Sequence, residues 1–554
     1  MTRAIPYIIP FLILSAMTAG LFPQSAGDPF MMVPFFIIAS TLISSGCIFK
    51  IKKDDFILLP LMGMWLVWLL SGLYSDVPFP SKVTWVITST LPAAYLLAKS
   101  TDKNPLSLLP IICLPFAVYT LWEWINGLQR PDTPFDDANL LGLLYVFGIL
   151  SGLPQTHADK QKNIRILFGI SLTILFIALM TTQSRSALLC VICGGIFYAT
   201  IKYPISTYLN KKMLIKIAAA IPLFLLLIST TGFINRLNIS TGRLTIWQGA
   251  WEMVSEHPFL GFGLGTFHLY YPPYRMEGDD SLGWMVHMDP LQTAIESGWL
   301  GALILYSLFI IPFAFLYKNR KILNHIQMGS GAILVSFFVA MHLNYPLHVV
   351  PFLIILAMAL ASLNFKPPKE KIPLMASCGI LLTLLSAVWI MTQTSITLLL
   401  AKETDKAYHL HDQSRFDTAI ATCINNGDKD FPDCKLMAAR FLTLAHDPDQ
   451  TKINWLLNGA EKANPTSPEP DYLRAQNLLL QSSGNMDKAL ELLKHSLSLN
   501  PAYWPSRRLA IEILIKKGDK PAAMALLDKG LIYPYATQTR DDISRIIKTL
   551  DGHQ

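Results

Sequence analysis

One short segment of the sequence carries groups that can exchange protons. It reads Val286-His287-Met288-Asp289-Pro290-Leu291-Gln292 and precedes an apolar stretch. The imidazole of His287 titrates near neutrality, so it can take a proton from a hydroxyl group at physiological pH. Asp289 is expected either to orient His287 or to cap the helix that follows. Glu296 lies about two turns further on, and an ionisable residue inside an apolar helix is a functional candidate.

Two arginines elsewhere in the chain offer the chemistry of anion binding. A guanidinium group grips phosphate through a planar fork of donors, whereas the lysine ammonium acts as a point charge. Arg185 stands at the end of one apolar stretch. Arg243 begins a segment in which Leu244, Trp247, Trp251 and Val254 recur at helical spacing, so a helix is predicted over 243–254. This spacing fits a substrate-binding helix, and it equally fits a helix at the membrane surface that pairs with lipid headgroups.

The composition divides the chain into two parts. Of its 554 residues, 52% are hydrophobic and 15% are charged, whereas a soluble domain has about 25% charged residues. Residues 1–400 hold 25 Lys and Arg against 18 Asp and Glu, and residues 401–554 hold 20 of each kind. A single soluble domain is therefore excluded. We predict a membrane domain over 1–400 and a water-exposed domain over 401–554.

The first part contains about thirteen apolar stretches of the length that a bilayer requires. An all-α fold is predicted, in which a polytopic membrane helix bundle is followed by a helical tail. The predicted spans are 4–22, 29–49, 56–73, 83–98, 106–126, 138–154, 166–182, 187–201, 213–232, 291–317, 326–344, 349–365 and 373–398.

The distribution of positive charge predicts the orientation. With the N-terminus in the cytoplasm, the inner loops hold nineteen Lys and Arg and the outer loops hold six. The chain then belongs in a bacterial inner membrane, with the large loop 232–290 and the tail in the periplasm. Five of the six outer residues are arginines, which indicates an anionic ligand on that side. The six are Lys82, Arg130, Arg185, Arg236, Arg243 and Arg275.

Further outer residues are weaker candidates. The glycines at 261, 263 and 265 either present backbone N–H groups to phosphate or form a tight turn. Asn139 either lines a site or caps a helix. Arg275 is a candidate glycan contact, and His342, near Asn344 and His348, either lines the site or packs in a turn. The acidic residues 277, 279 and 280 are expected to form a solvated loop and no metal site.

Four motifs together resemble the O-antigen ligase and polymerase family of bacterial membrane glycosyltransferases, which includes O-linking protein oligosaccharyltransferases. They are FDDAN at 135–139, QSRSA at 183–187, Arg243 and Trp247 with the glycine run, and the segment from His287 to Gly301. In that last segment Met288 stands where the family has Asn, and Pro290 stands where it has an aromatic residue.

The resemblance implies a mechanism and its partners. A glycan on undecaprenyl diphosphate is the donor, Arg185 and Arg243 hold the diphosphate, and His287 deprotonates or positions an acceptor hydroxyl for inverting attack. No cofactor, metal or nucleic acid is implied. The acceptor is lipid A-core, another glycan or a protein, and membrane lipids surround the domain. The residues expected to bind substrate are Asn139, Arg275, Asp289, Glu296 and His342.

The tail resembles tetratricopeptide repeats. Asn464-Pro465 and Asn500-Pro501 are 36 residues apart, and two Gly-led, Ala- and Leu-rich helical segments begin 34 residues apart, at 484 and 518. We predict a periplasmic α-solenoid that binds an acceptor or a protein partner, or else packs as a lid. Cys423 and Cys434 are predicted to form a disulfide, which the periplasm permits.

Two classes of function stay open at this stage. The first is the glycosyltransferase, whose acceptor the sequence leaves undecided between ligase, polymerase and protein oligosaccharyltransferase. The second is a transporter or a non-enzymatic scaffold whose arginines recruit anionic lipid. A transporter places ionisable groups near mid-membrane and often has interrupted helices in matched halves. Here the polar residues gather at the outer rim, which favours the enzyme.

Overall fold

A computed structural model gives the fold. It describes residues 32–45, 55–99, 105–156, 162–202, 242–279, 281–363, 374–444, 449–480, 485–533, 535 and 537–551. Within these ranges the chain forms helices and no strand, which confirms the all-α fold class. The predicted spans 4–22 and 213–232, and the first residues of the predicted loop 232–290, lie outside the described residues.

The other predicted spans of the first part coincide with helices. Span 83–98 is made by two helices that meet at Ser89, because Pro92 has no N–H to donate to the carbonyl of Thr88. The helices are α1 Val33–Ser45, α2 Leu58–Tyr74, α3 Pro78–Thr88, α4 Thr90–Lys99, α5 Leu109–Ile125, α6 Ala138–Gly152, α7 Lys162–Thr181, α8 Arg185–Lys202, α9 Gly242–Glu256, α10 Asp289–Asn319, α11 His325–Met341, α12 Val350–Leu363 and α13 Leu374–His409.

Several of these helices can cross a membrane by length and composition. Those long and apolar enough are Leu106–Ile125, Ala138–Thr156, Lys162–Thr181, Asp289–Asn319 and Ser377–His409, and shorter apolar helices accompany them. Helices α6 and α12 form the centre of the bundle, since their side chains are buried on all faces. Asn139 is the one residue of α6 that is not buried. It therefore marks the end of α6 that remains accessible.

Helix α9 packs on the first half of α10, at the predicted outer end of the bundle. It confirms the predicted helix over 243–254. Ile246, Ala250 and Met253 fill the interface together with Val254 of the predicted apolar stripe, whereas Leu244 and Trp251 of that stripe stay exposed. Ala250 is fully buried in this contact, and the larger exposed side chains lie beside it.

A glycine-rich turn holds α10 at a break in its backbone. Gly298 has φ 70° and ψ −179°, which interrupts the helix. The carbonyls of Ile295 and Glu296 then accept hydrogen bonds from the N–H groups of Phe262 and Gly263, at 2.9 and 3.1 Å. The glycine run therefore packs against α10 as a tight turn. It does not present these N–H groups to a phosphate.

Gly298→Ala is expected to destabilise the protein by about 1–3 kcal/mol or more, because a side chain strains the backbone at positive φ. Its Cβ would also lie 2.0 Å from the carbonyl oxygen of Phe259. Gly379→Ala is the matched control, since no atom lies within 4 Å of a Cβ at that exposed helical position. Thermal unfolding in detergent should show a lower Tm for Gly298→Ala alone. Equal Tm values for the two variants would contradict the role of the turn.

The tail consists of paired antiparallel helices, as the repeats predict. Helix α13 runs without interruption through the predicted domain boundary at residue 400, and its last turns pair with the first tail helix. The tail helices are α14 Gln413–Asn426, α15 Asp433–Thr443, α16 Gln450–Ala463, α17 Glu469–Leu480, α18 Met486–Leu499, α19 Trp504–Lys516, α20 Lys520–Leu531 and α21 Thr537–Asp551.

A disulfide-closed loop docks the tail on the membrane domain. Cys423 and Cys434 form the predicted disulfide and bracket the loop between α14 and α15. In that loop, Asp428 and Asp430 pair with Lys82 of α3 at 3.0 and 2.6 Å. Phe431 also packs on Phe79, with ring centroids 4.7 Å apart. The tail is thus anchored to α3. Helix α18 of the tail also contacts the turn Pro272–Tyr274.

Candidate active site

The beginnings of four helices converge at the predicted outer end of the bundle. Asn139 is the second residue of α6, Arg185 is the first residue of α8, and Arg243 is the second residue of α9. His287 lies two residues before α10 begins. Because the start of a helix carries a partial positive charge, this arrangement favours a negatively charged ligand among these side chains.

Asn139 joins two of these helix starts. Its side-chain oxygen accepts hydrogen bonds from Arg130 Nη2 at 3.2 Å and from Ser184 Oγ at 3.1 Å. The cap of α6 is instead Asp137, whose carboxylate accepts from the N–H of Asn139. Arg130 Nε also donates to the carbonyl of Thr182, at 3.4 Å. Asn139 therefore holds Arg130 beside the Ser184-Arg185 turn.

The segment Leu343–His348 connects the other helix starts. The carbonyl of Leu343 accepts a hydrogen bond from Arg243 Nη1 at 2.6 Å. Asn344 donates to Ser186 Oγ at 3.0 Å, next to Arg185. Tyr345 OH donates to Asp137 at 3.2 Å. This segment thus places Arg243 and the start of α8 around one space.

Three arginines form a cluster around that space: Arg130, Arg185 and Arg243, called here the arginine cluster. Burial lowers the pKa of Arg243, Asp137 raises it, and the charges of Arg185 and Arg130 lower it further. The three guanidinium groups are thus close enough to repel one another, with Asp137 as an acidic neighbour. Like charges held together in this way favour a ligand with more than one negative charge.

His287 adopts a backbone conformation that is unusual for a residue with a side chain. Its φ is 58°, in the left-handed region, and such strain is concentrated at functional sites. The ring lies edge-on to that of Tyr345, with centroids 5.1 Å apart. Among the described residues no group bonds its buried Nδ1 atom. Burial, and then the charge of Arg243, lowers the pKa of His287 to about 4.

A buried network behind His287 fixes its position. Asp289 accepts hydrogen bonds from the N–H of Leu347 and from His348 Nδ1, both at 3.0 Å. It therefore orients His348, and the expected contact with His287 is absent from the described structure. Gln292 contacts His348 Nε2 at 3.1 Å and accepts from the N–H of Val286, the residue before His287, at 3.2 Å.

Glu296 completes this network from inside α10. It accepts hydrogen bonds from Gln292 Nε2 at 3.1 Å and from the N–H of Gly265 at 2.9 Å. The glycine turn, Glu296, Gln292 and Val286 thus form one chain of bonds that ends at the backbone of His287. Glu296 and Asp289 lie buried in this network and support that backbone. The binding of substrate by either residue stays a prediction.

Two predicted substrate contacts bond groups other than the arginine cluster. Arg275 is engaged by Asp279 at 3.4 Å and by the carbonyl of Ser281 at 3.0 Å. Asp279 itself is buried and accepts from Tyr271, so it is not part of a solvated acidic loop as expected. His342 contacts Tyr306 OH at 3.0 Å and packs on α10. In the part of the chain that the structure describes, no three His, Cys, Asp or Glu side chains could hold a metal ion together.

Two family models match parts of the chain. Residues 170–306 match the model of the O-antigen ligase family, and this range contains Arg185, Arg243 and His287. The chain carries an O-antigen ligase domain. Residues 480–533 match the tetratricopeptide repeat model, which confirms the repeat in the tail. No curated protein shows a significant match to the chain.

Two site residues lie outside the matched range of the O-antigen ligase domain. Arg130 and Asn139 precede residue 170, and hydrogen bonds tie them to the Ser184-Arg185 turn inside it. Sequence reasoning listed Arg130 among the outer arginines but did not select it as a site residue. The one sequence feature that pointed to Arg130 was the excess of arginine over lysine on the predicted outer side. Contact with Asn139, nine residues away, is a property of the fold.

Proposed function

We propose that the chain is a metal-independent, inverting glycosyltransferase. It moves a glycan from undecaprenyl diphosphate to an acceptor hydroxyl at the periplasmic face of the bacterial inner membrane. The observation that carries this proposal is the arginine cluster around His287, inside and beside the O-antigen ligase domain. The excess of Lys and Arg in the inner loops supports the orientation, with the N-terminus in the cytoplasm and the tail in the periplasm.

The arginine cluster suits a diphosphate leaving group. As the bond between the anomeric carbon and the phosphate oxygen breaks, its electron pair and negative charge pass to undecaprenyl diphosphate. Arg130, Arg185 and Arg243 stabilise this developing charge, and arginines fixed by hydrogen bonds need little rearrangement to do so. Arg130 is thereby added to the two arginines that the family resemblance implied.

His287 is placed to act on the acceptor. Its pKa of about 4 leaves the imidazole neutral at neutral pH, and the buried Nδ1 has no bonding partner among the described residues. The acceptor oxygen forms a bond to the anomeric carbon from the side opposite the diphosphate, which inverts the configuration. The hydroxyl proton passes to His287, and the diphosphate charge beside Arg243 stabilises the imidazolium.

The two pH profiles of the reaction are expected to differ. In the free protein burial, and then the charge of Arg243, keeps the pKa of His287 low, so His287 limits kcat/KM only near pH 4. Bound diphosphate offsets that charge and raises the pKa of His287, because it favours the protonated ring. The acid limb of kcat should therefore lie at higher pH than the limb of kcat/KM. If the acid limbs of kcat and kcat/KM both lay near pH 6.5, the role of His287 as the base would be contradicted.

A donor-only assay tests the proposed function and separates its acceptors. Purified protein is incubated with undecaprenyl-diphosphate-linked repeat units, and the products are resolved by size. A ladder of longer chains that His287→Ala abolishes would identify a polymerase. Without a ladder, the same donor is offered lipid A-core and then a periplasmic protein, which tests the ligase and O-linked protein oligosaccharyltransferase alternatives. If the protein transferred glycan to none of the three acceptors (another glycan, lipid A-core or a protein), the proposal would be overturned. The hypothesis of a scaffold or transporter would then remain.

A further inference from the structure

A short helix, α3, lies between the tail and the residues that support His287. On one side it contacts the loop of residues 427–432 that the disulfide closes, called here the docking loop. On another side it contacts the turn Pro346–His348, whose last residue bonds Asp289. Because α3 touches both, a change in how the tail docks can reach the active site by direct packing.

The docking loop holds the first turns of α3. Lys82 pairs with Asp428 and Asp430, at 3.0 and 2.6 Å, and Phe79 packs on Phe431. Phe79 and Lys82 are three residues apart, so they lie on the same face of the helix. The two carboxylates converge on one ammonium, which offsets the repulsion between them. Removing that ammonium therefore costs more than removing one partner of a single exposed ion pair.

The opposite side of the same segment packs on the glycine turn. Thr84 follows Lys82 by two residues, which is about 200° around the helix. A Cβ at Gly265 would lie 2.1 Å from Thr84 Oγ1. A Cβ at Gly263 would lie 2.4 Å from the Oγ atom of Ser75, just before α3 begins. The glycine turn is therefore fitted against α3 at two points, and neither leaves room for a side chain.

From Gly265 a line of hydrogen bonds leads to the backbone of His287. The N–H of Gly265 donates to Glu296 at 2.9 Å, and Gln292 donates to Glu296 at 3.1 Å. Gln292 in turn accepts from the N–H of Val286 at 3.2 Å. His287 has a positive φ, a strained conformation that persists only where the surroundings hold it. The place of the imidazole therefore depends on the position of the glycine turn.

We propose that Lys82 is a positioning residue of the transfer reaction. Its ion pairs with the docking loop keep α3 against the glycine turn, and the glycine turn keeps His287 in place. Trp85 fixes the end of α3 in the bundle by stacking on Trp65, so the tail acts on the first two turns of the helix. This assignment rests on the proposed function and gives the tail a part in the reaction step, independently of any acceptor or partner that its repeats bind.

The arginine cluster is held from other helices. Arg243 donates to the carbonyl of Leu343, and the N–H of Leu343 bonds the carbonyl of Ala340 in α11 at 3.0 Å. Arg130 is bonded by Asn139 of α6. Binding of the donor diphosphate should therefore survive when the tail undocks. Loss of docking is expected to lower kcat and to leave KM for the donor unchanged.

Reversing the charge of Lys82 tests the proposal by kinetics. We expect Lys82→Glu to lower kcat about 10–100-fold, the cost of misplacing a reacting group from a distance, without a change in KM for the donor. Adding Asp430→Lys restores an opposite pair and should recover most of kcat. Unchanged kcat in Lys82→Glu, or no recovery in the double variant, would overturn the proposal.

Lys517→Glu is the matched control. Lys517 pairs with Asp487, and both residues belong to the tail. The same charge reversal there breaks an ion pair that is not part of the docking, so kcat should stay at the wild-type value. A loss of kcat as large as that in Lys82→Glu would show that any broken ion pair of the tail is enough, and would also overturn the assignment.

Hydrogen exchange tests the link without requiring glycan transfer. Exchange is measured by mass spectrometry on the purified full-length protein, in peptides that cover the docking loop, the glycine turn and Val286. We expect Lys82→Glu to raise exchange about tenfold in all three, because local opening sets these rates, and to leave α6 unchanged. A rise confined to the docking loop, or no rise, would overturn the proposal. A rise in all three, in a protein that transfers no glycan, would sustain the link and contradict only the proposed function.

Discussion

Arg243→Ala is expected to lower kcat/KM for glycan transfer about 10²–10³-fold, the usual loss when one donor to a developing negative charge is removed. The residue is held by the carbonyl of Leu343, and it lies within electrostatic reach of Arg185, Arg130 and His287. Its removal takes away a positive charge where the diphosphate leaves. Rates are measured with a purified undecaprenyl-diphosphate-linked donor and each acceptor that the wild-type protein uses.

A lysine at this position separates charge from geometry. Arg243→Lys keeps the charge but loses the planar fork, so it should recover only part of the activity. Arg320→Ala is the control, because Arg320 is exposed at the opposite end of α10 and stacks on Tyr317. It should leave kcat/KM unchanged. Full activity in well-folded Arg243→Ala would remove Arg243 from the mechanism.

His287→Gln is expected to lower kcat about 10²–10⁴-fold, the usual contribution of a positioned general base. Glutamine preserves much of the polar character but cannot accept the proton. The effect should appear mainly in kcat, since the arginine cluster still binds the donor diphosphate. The measurement is single-turnover transfer at saturating donor, compared with wild type.

Two variants distinguish chemistry from backbone support. His287→Gly relieves the strain of the positive φ, since glycine adopts it freely, and yet should be as inactive as His287→Gln. His409→Gln, on the exposed end of α13, should be fully active. If His287→Gln kept wild-type kcat, the proton would have to go to another group, and His287 would be only a structural residue.

The sequence predicted the helices better than the contacts between them. Apolar length located the spans because a helix in a bilayer must satisfy its own backbone. The preference for arginine over lysine singled out Arg130, Arg185 and Arg243, which the structure brings within electrostatic reach of one another. In contrast, the bond between Asp289 and His348 joins residues 59 positions apart, and no local pattern encodes it. The nearer histidine, His287, was therefore the wrong partner.

The role of the glycine run also depends on a contact that the local sequence does not reveal. Its composition fits a phosphate-binding loop and a tight turn equally well. The choice depends on Gly298, which breaks α10 and frees the carbonyls of Ile295 and Glu296 for this run. Likewise, helical spacing grouped Leu244 with Val254, but only the packing of α9 on α10 decides that Val254 is buried and Leu244 is exposed.

The most direct test of the account counts undecaprenyl diphosphate released against glycosidic bonds formed, with EDTA present. For the wild-type protein we predict one diphosphate for each bond and an inverted anomeric configuration in the product. Arg185→Ala and His287→Ala, each verified to be folded, should show neither release nor transfer above a small residual rate. Undiminished transfer by both folded variants would contradict the proposed active site, and loss of transfer in EDTA alone would contradict a metal-independent reaction.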